Sequence, residues 1–94
     1  MKSRRTSIEI VVDILEVVSS GSGSKSSIMK NANLSEGLAG KYLDILRSKG
    51  LIDYVEGSYK LTEKGRQMLA NFREIRKLEL RLNELLNSTI SQLS

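Results

Sequence analysis

The side chains in this sequence that are best suited to chemistry are basic ones, and they share a segment with two glycines. Helical spacing over Ser35–Lys49 places Gly37, Gly40, Lys41 and Arg47 on the face opposite its apolar residues. Lysine and arginine donate charge-assisted hydrogen bonds to phosphate oxygens, and a glycine lets another backbone approach closely. The pattern favours a helix face that contacts a phosphate backbone. The alternative is that the two basic residues only keep a surface helix soluble.

Other polar residues extend this candidate surface. Ser35 is a predicted N-cap, and the free amides at a helix N-terminus favour a phosphate. Outside this helix, the candidate phosphate contacts are Lys25, Lys30, Ser58 and Lys60. Lys25 and Lys30 flank the preceding short helix, whereas Ser58 and Lys60 belong to a predicted hairpin. Together they would surround the basic helix.

Four further charged residues have two interpretations each. Arg4 and Arg5 form a basic arm that either reaches an adjacent groove or is an inert tail. Glu36 and Asp44 lie on the basic helix, where they would repel phosphate unless they are directed elsewhere, Asp44 for example towards Lys41 or Arg47.

The composition argues against catalysis and for an anionic partner. The chain has no cysteine, which excludes disulfides and thiolate metal sites, and no histidine, the usual general base near neutral pH. Its 11 carboxylates form no pair with clear acid/base spacing. The net charge is +4 and the pI about 9.6, which favours a phosphate backbone as partner. We therefore predict a non-enzymatic protein without a metal, cofactor or small-molecule ligand.

Hydropathy predicts no membrane segment. No apolar run approaches the roughly 20 residues that span a bilayer. The basic N-terminus is not followed by an apolar signal segment. We expect an intracellular, cytoplasmic protein.

Caps and apolar spacing predict four helices and one hairpin. The predicted elements are a helix from Ser7 to about Val18, a short helix capped by Ser24 or Ser26 and ending near Asn31, a helix from Ser35 to Lys49, strands at Leu51–Glu56 and Ser58–Leu61, and a last helix from Thr62 to about Gln92. Gly57-Ser58 is the predicted hairpin turn. We interpret the serine- and glycine-rich residues 19–24 as a flexible loop without a role.

Two of these helices are predicted to supply most of the core. In the first, Ser7 is the predicted cap, and an apolar stripe runs through Ile8, Val11, Val12, Leu15 and Val18, widened by Ile10, Ile14 and Val17. In the helix from Ser35, the inward residues are Leu38, Ala39, Tyr42, Leu43 and Leu46.

The order of these elements resembles a winged helix-turn-helix protein. Two short helices joined by a tight turn are followed by a two-stranded hairpin, and the resemblance runs from Ile8 to about Leu69. The residues that carry it are Ile28-Met29, Ala32-Asn33-Leu34-Ser35, Tyr42-Leu43, Leu46, Gly50-Leu51-Ile52, Tyr59-Lys60-Leu61-Thr62 and Lys64-Gly65. The resemblance implies that the helix from Ser35 enters the major groove of DNA.

The last helix is too long for a domain of this size, and it predicts a dimer. Its apolar residues Ile75, Leu78, Leu82 and Leu85 recur at 3-4-3 spacing, as in a coiled coil, and Leu86, Ile90 and Leu93 continue the stripe. Exposing that apolar stripe to water is unfavourable, so a second copy of the chain is expected to cover it. The alternative is that the helix folds back on its own domain. The sequence does not fix the orientation of the two helices.

The whole chain is also similar to the ten-kilodalton chromatin proteins of Sulfolobus and related archaea. That resemblance implies dimers joined by an antiparallel coiled coil, which bind duplex DNA without strong sequence preference and bridge or compact it. It implies a winged-helix domain over residues 1–66 and a dimerisation helix over 67–94. It also implies DNA contacts from the helix Ser35–Lys49 and from the wing at Gly57–Lys60.

We therefore predict a mainly α protein with a small hairpin, a homodimer that binds double-stranded DNA as a chromosome-associated chromatin protein. Two alternatives remain. One is a sequence-specific transcription regulator, although no ligand-sensing domain is visible. The other is a protein-interaction module that uses its winged helix to bind another protein.

Overall fold

A computed structural model describes residues 5–94 and confirms the predicted fold class. The elements are α1 (Ser7–Ser19), α2 (Lys25–Asn31), α3 (Glu36–Ser48), β1 (Ile52–Val55), β2 (Ser58–Leu61) and α4 (Glu63–Ser91). The chain is mainly helical, with one antiparallel two-stranded sheet. Within the described residues, no helix combines the length and apolar character that crossing a bilayer requires.

The start of α1 is fixed by a reciprocal cap one residue earlier than predicted. The Thr6 hydroxyl accepts a hydrogen bond from the Glu9 amide at 3.1 Å, and the Glu9 carboxylate accepts one from the Thr6 amide at 2.7 Å. The hydrogen bond that the Thr6 amide donates to the Glu9 carboxylate lowers the pKa of Glu9. The prediction that Ser7 is the cap was wrong: its hydroxyl instead accepts a hydrogen bond from the Tyr42 hydroxyl at 3.0 Å.

The core lies between α1, α2, α3, the hairpin and the first part of α4. Its most completely buried large side chains are Ile14, Leu15, Ile28, Leu43, Leu46 and Ile52. Two predicted core residues lie outside: Ile8 is 62% exposed and Leu38 is 37% exposed. The buried face of α1 is centred on Ile10 and Ile14, the set that was predicted only to widen the stripe. The apolar residues of α1 cover most of its circumference, so their spacing could not tell which side faces the core.

The hairpin turn lies one residue earlier than predicted. Val55 pairs with Ser58, so the two turn residues are Glu56 and Gly57, and Ser58 begins β2. Both turn residues have positive φ, 52° and 80°, as the tight hairpin turn of type I′ requires. The prediction failed because Glu56 is an uncommon residue in this conformation.

The segment between α1 and α2 is docked on the sheet, which corrects its interpretation as a loop without a role. The Gly23 carbonyl accepts a hydrogen bond from the Tyr59 amide at 2.7 Å, and Gly23 is buried. A Cβ at this position would overlap the Tyr59 carbonyl. Gly23 therefore extends the pairing of β2 on the side away from β1 and holds the start of α2 against the wing.

Helix α4 begins in the core and then leaves it. The Thr62 hydroxyl accepts from the Gly65 amide at 3.0 Å and donates to the Gly50 carbonyl at 2.6 Å, which ties the helix start to the end of α3. Leu69 is buried, and Phe72 is the last residue that packs against the core. Every residue from 73 to 94 is exposed. The helix has 29 residues, about 43 Å at 1.5 Å per residue, so more than half of it projects from the domain.

Candidate nucleic-acid interface

Helix α3 presents one face to the core and an open face to the outside. A tight turn precedes it, in which Asn33 has a φ of 55° and the Leu34 amide bonds to the Met29 carbonyl at 2.8 Å. Ser35 is the N-cap as predicted, with its hydroxyl accepting from the Leu38 amide at 3.3 Å. The exposed residues of α3 include Glu36, Gly37, Lys41, Asp44, Arg47 and Ser48. The helix-turn-helix thus displays the side of α3 on which the basic residues lie.

The two glycines of this face are not required by the fold. A Cβ built on Gly37 meets no atom within 4 Å, and one on Gly40 meets only the Lys25 ammonium at 3.6 Å. A glycine in a helix costs roughly 0.5–1 kcal/mol relative to alanine. Two such residues on one open face lower stability without any internal packing reason. They leave a smooth surface on which another backbone can lie close.

The basic residues of α3 are placed where they can reach an external partner. Lys41 is exposed, with its ammonium 5.8 Å from the centre of the Tyr42 ring. The Arg47 guanidinium lies 5.9 Å from the centre of the Tyr54 ring, within the range of a cation–π contact. Tyr54 in turn packs on Tyr59, with ring centres 4.7 Å apart. This stack fixes the end of α3 relative to the wing.

The acidic residues of the same face are not neutralised by its basic ones. Within residues 5–94, none of the ion pairs involves Glu36 or Asp44. The suggested pairing of Asp44 with Lys41 or Arg47 is therefore not formed. Because acids and bases alternate on this face, its affinity for an anion would come from a few placed contacts rather than from a strong uniform field.

The predicted flanking residues lie around α3, but some are exposed to a partner and others are engaged within the chain. Lys25, Lys30 and Lys60 are exposed, and Ser58 is half-buried at the start of β2. Arg5 is engaged within the chain and is not a free arm. Its guanidinium donates to the Asp13 carboxylate and to the Asn33 carbonyl, each at 2.7 Å. The predicted contact at Arg4 lies outside the described residues.

One basic residue beside α3 was not among the predicted DNA contacts. The Lys64 ammonium donates to the Lys49 carbonyl at 2.9 Å, and both lysines are exposed. The Lys64 ammonium therefore lies beside the backbone at the end of α3. The signal in the sequence was the position of Lys64 in the first turn of α4, but its proximity to Lys49 depends on how α4 packs.

The predicted coiled-coil residues form a continuous exposed stripe. The exposed fractions of Ile75, Leu78, Leu82, Leu85, Leu86, Ile90 and Leu93 lie between 48% and 84%. In a single chain, α4 does not fold back to cover them, which disagrees with the fold-back alternative. We call these seven residues the seam.

At the base of α4, one ion pair ties the helix to α1. The Arg73 guanidinium donates two hydrogen bonds to the Glu16 carboxylate, at 3.0 and 2.6 Å. This contact lowers the pKa of Glu16 and raises that of Arg73. Across the described residues, no group of three or more acidic side chains is arranged to hold a metal ion.

A winged helix-turn-helix is defined by this order of elements, with α2 and α3 as the helical pair and β1–β2 as the wing. The chain belongs to the winged helix-turn-helix family, since a family model of that description matches residues 4–80.

Two relatives are more specific. The structure is similar to that of Sso10a-2, a DNA-binding protein from Sulfolobus solfataricus, with a TM-score of 0.75 and 25% sequence identity, covering 96% of this chain and 98% of that one. The sequence is 32% identical over 72 residues to the uncharacterized protein MJ0287 of Methanocaldococcus jannaschii, covering 77% of this chain and 74% of that protein. The predicted similarity to the archaeal proteins of Sulfolobus is thereby confirmed.

Proposed function

We propose that this chain is a non-enzymatic, dimeric protein that binds duplex DNA with low sequence specificity and acts in chromatin by bridging or compacting DNA. The observation that carries the proposal is the open, glycine-bearing face of α3 beside the wing. The similarity to a DNA-binding protein of Sulfolobus over nearly the whole chain supports it.

In the proposed complex, α3 lies in the major groove and the wing reaches the adjacent groove. Gly37 and Gly40 let the helix backbone approach the phosphates, and the amides at Ser35 face one of them. Lys41 and Arg47 contact base edges or phosphates. The exposed lysines of α2 and β2 hold the flanking backbone.

The residues of α3 favour low sequence specificity. Asparagine and glutamine, which recognise adenine through two hydrogen bonds, are absent from Glu36–Ser48. Arg47 is the one arginine of the helix, and it lies near its end beside Tyr54. Contacts to the phosphate backbone, which carry no sequence information, therefore dominate.

A dimer through the seam would give each assembly two DNA-binding surfaces. Six of the seven seam residues are symmetric about Glu84: Ile75 and Leu93 lie nine positions on either side, Leu78 and Ile90 six, and Leu82 and Leu86 two. Such symmetry brings apolar residues level with each other when two copies run in opposite directions. An antiparallel rod would hold the winged domains at opposite ends, suited to two duplexes or two segments of one.

A gel shift over a salt series tests the DNA contacts. Affinity for a random duplex should fall steeply with salt. The variant Lys41→Ala/Arg47→Ala loses two phosphate contacts and therefore releases fewer counterions on binding, so the slope of log K against log salt should become shallower by about 2. The control Lys77→Ala/Arg81→Ala removes the same charge from α4 and should leave most of the affinity. Equal loss in both variants, or no binding at low salt, would contradict the proposal and favour a protein-binding role. One duplex bound far above random DNA would indicate a sequence-specific regulator instead.

Gly37→Ala separates folding from DNA binding. The fold has room for the methyl group, so the free energy of unfolding should rise by roughly 0.5–1 kcal/mol. The same methyl group would hold α3 away from the DNA backbone and weaken binding. Chemical denaturation and the gel shift measure the two effects. A variant that gains stability and keeps full affinity would show that close approach at Gly37 does not occur.

A further inference from the structure

The wing carries an aromatic pair on the side near the end of α3. Tyr54 and Tyr59 are directly opposite each other in the register of β1 and β2, and their ring planes are tilted by 57°. Tyr59 is half-buried and packs against the core, and its amide is fixed by the hydrogen bond to the Gly23 carbonyl. Tyr54 is 49% exposed. The outer ring therefore rests on a ring that the core holds in place.

The end of α3 places a guanidinium group over this outer ring, that of Arg47 over Tyr54. Across the described part of the chain, Arg47 forms no ion pair, although Asp44 lies one turn earlier on the same helix. The described arginines that donate hydrogen bonds within the chain are Arg5, Arg66 and Arg73. The N–H groups of Arg47 are therefore left for an external acceptor.

The charged residues of the wing do not compete for this guanidinium. Side chains alternate between the two faces of a hairpin, so Asp53 and Lys60 lie on the face opposite the two tyrosines. These two residues are level with each other across the strands, and their charges are opposite. The acid of the turn, Glu56, is exposed and takes part in none of the ion pairs that the structure describes. The ring of Tyr54 is thus the group that orients Arg47.

An oriented guanidinium is better suited to binding an anion than a freely rotating one. An arginine side chain loses rotational freedom when it is fixed on a partner, and a group that holds it beforehand reduces that loss. A cation–π contact uses the ring face and leaves the N–H groups able to donate the paired hydrogen bonds that suit phosphate oxygens. Because this contact joins α3 to the wing, the donors lie between the two elements that the DNA is proposed to contact.

We propose that Tyr54 is a positioning residue for DNA binding, whose ring holds the Arg47 guanidinium between α3 and the wing for contact with a phosphate diester of the DNA backbone. The inference rests on the proposed function and names the group that this part of the site takes. The same contact keeps Arg47 away from the first turn of α3, where helix-turn-helix proteins read base edges. The one arginine of α3 therefore adds affinity for any duplex and little sequence preference.

A double-mutant cycle tests whether Tyr54 acts through Arg47. Fluorescence anisotropy measures the affinity for a random-sequence duplex at one low salt concentration. Tyr54→Ile keeps a β-branched residue in the strand but removes the ring, and it should weaken binding by the wild type roughly two- to five-fold. In the Arg47→Ala background, the same substitution should change the affinity by less than about 1.5-fold, because the group that the ring positions is already absent.

The matched control is Tyr54→Ile in a Lys41→Ala background. Lys41 is also a basic residue of α3, but its ammonium lies near the Tyr42 ring and not near Tyr54. Tyr54→Ile should therefore weaken Lys41→Ala by the same factor as it weakens the wild type. A general loosening of the wing would act equally in all three backgrounds.

Tyr54→Phe separates the ring from its hydroxyl. Phenylalanine retains the aromatic face, so the affinity of this variant should stay within about 1.5-fold of the wild type. Nuclear magnetic resonance of the free protein adds a readout of the contact itself. The side-chain protons of Arg47 should lose their upfield ring-current shift in Tyr54→Ile and keep it in Tyr54→Phe.

The possible outcomes separate this inference from the proposed function. If the wild type binds the duplex but Tyr54→Ile weakens the wild type and Arg47→Ala equally, the inference is overturned and the proposed function stands. A Tyr54→Phe variant that binds as weakly as Tyr54→Ile would also overturn it, since the hydroxyl and not the ring would then act. A wild type that binds no duplex at low salt would overturn the proposed function, and this inference with it.

Discussion

Leu82→Asp is expected to convert the proposed dimer into a monomer. Leu82 lies two positions from the centre of symmetry of the seam, so both copies would bring an aspartate to the middle of the interface. Two buried leucines, worth roughly 1.5–3 kcal/mol each, would be lost. Each buried carboxylate would add a desolvation penalty of several kcal/mol. Sedimentation or light scattering over a concentration series measures the result.

The control for this substitution is Ser91→Asp. Ser91 lies nine residues after Leu82, which is half a turn away on the opposite side of α4. It should preserve the dimer. Because Leu82 is exposed in the single chain, circular dichroism should show that the winged domain of Leu82→Asp remains folded. A Leu82→Asp variant that stays dimeric would show that the copies associate elsewhere.

Gly65→Ala is expected to destabilise the fold strongly. Gly65 is buried in the first turn of α4, and a Cβ there would overlap the carbonyl of Leu51. The obstructing atom belongs to the backbone, so no side chain can turn aside. Overpacking of this kind typically costs about 1–3 kcal/mol, and a shift of α4 would add to it. Each kcal/mol lowers the melting temperature of a domain of this size by roughly 4–8 °C.

Gly37→Ala provides the matched control, since it makes the same chemical change in a helix with open space around it. The two substitutions should alter the free energy of unfolding in opposite directions. The melting temperatures must be compared at one protein concentration, because the proposed dimerisation would make them depend on concentration. If Gly65→Ala had the same melting temperature as the wild type, the contact between α4 and the end of α3 would be looser than described.

Local signals predicted most of the element boundaries. Ser24, Ser35 and Thr62 cap the helices that follow them, and Gly50 takes a φ of 75° just after α3. Each of these residues acts through its own backbone or the next turn, so the neighbouring sequence contains the information. The order of the elements then indicated the winged-helix fold.

The predictions that failed for α1 and for the segment before α2 both depend on contacts between distant parts of the chain. The exposure of Ile8 depends on which side of α1 meets the rest of the core. The docking of Gly23 depends on β2, which lies 35 residues later at Ser58–Leu61 and supplies the Tyr59 amide. Neither contact leaves a periodic pattern in the local sequence.

The candidate interface was predictable in its residue types but not in its arrangement. The exposure of Lys41 and Arg47 followed from helical spacing. The pairing of Arg5 with Asp13 and the stacking of Arg47 on Tyr54 did not, because each joins side chains from different elements. Arg5 in particular changes from a free basic arm to a link between α1 and the turn before α3.

The proposed antiparallel dimer would place its two α3 faces at opposite ends of a rod formed by the projecting parts of α4. Such a separation favours bridging two duplexes over wrapping one.

In the proposed complex, duplex DNA binds to the open face of α3 and to the wing. Titration of the ¹⁵N-labelled protein with a random-sequence duplex at low salt, followed by amide chemical shifts, tests it most directly. We expect the large shifts in Glu36–Ser48, at the turn residues Glu56 and Gly57, and in the adjoining part of α2, with little change along residues 73–94. Shifts concentrated on α4, or none at all, would contradict it.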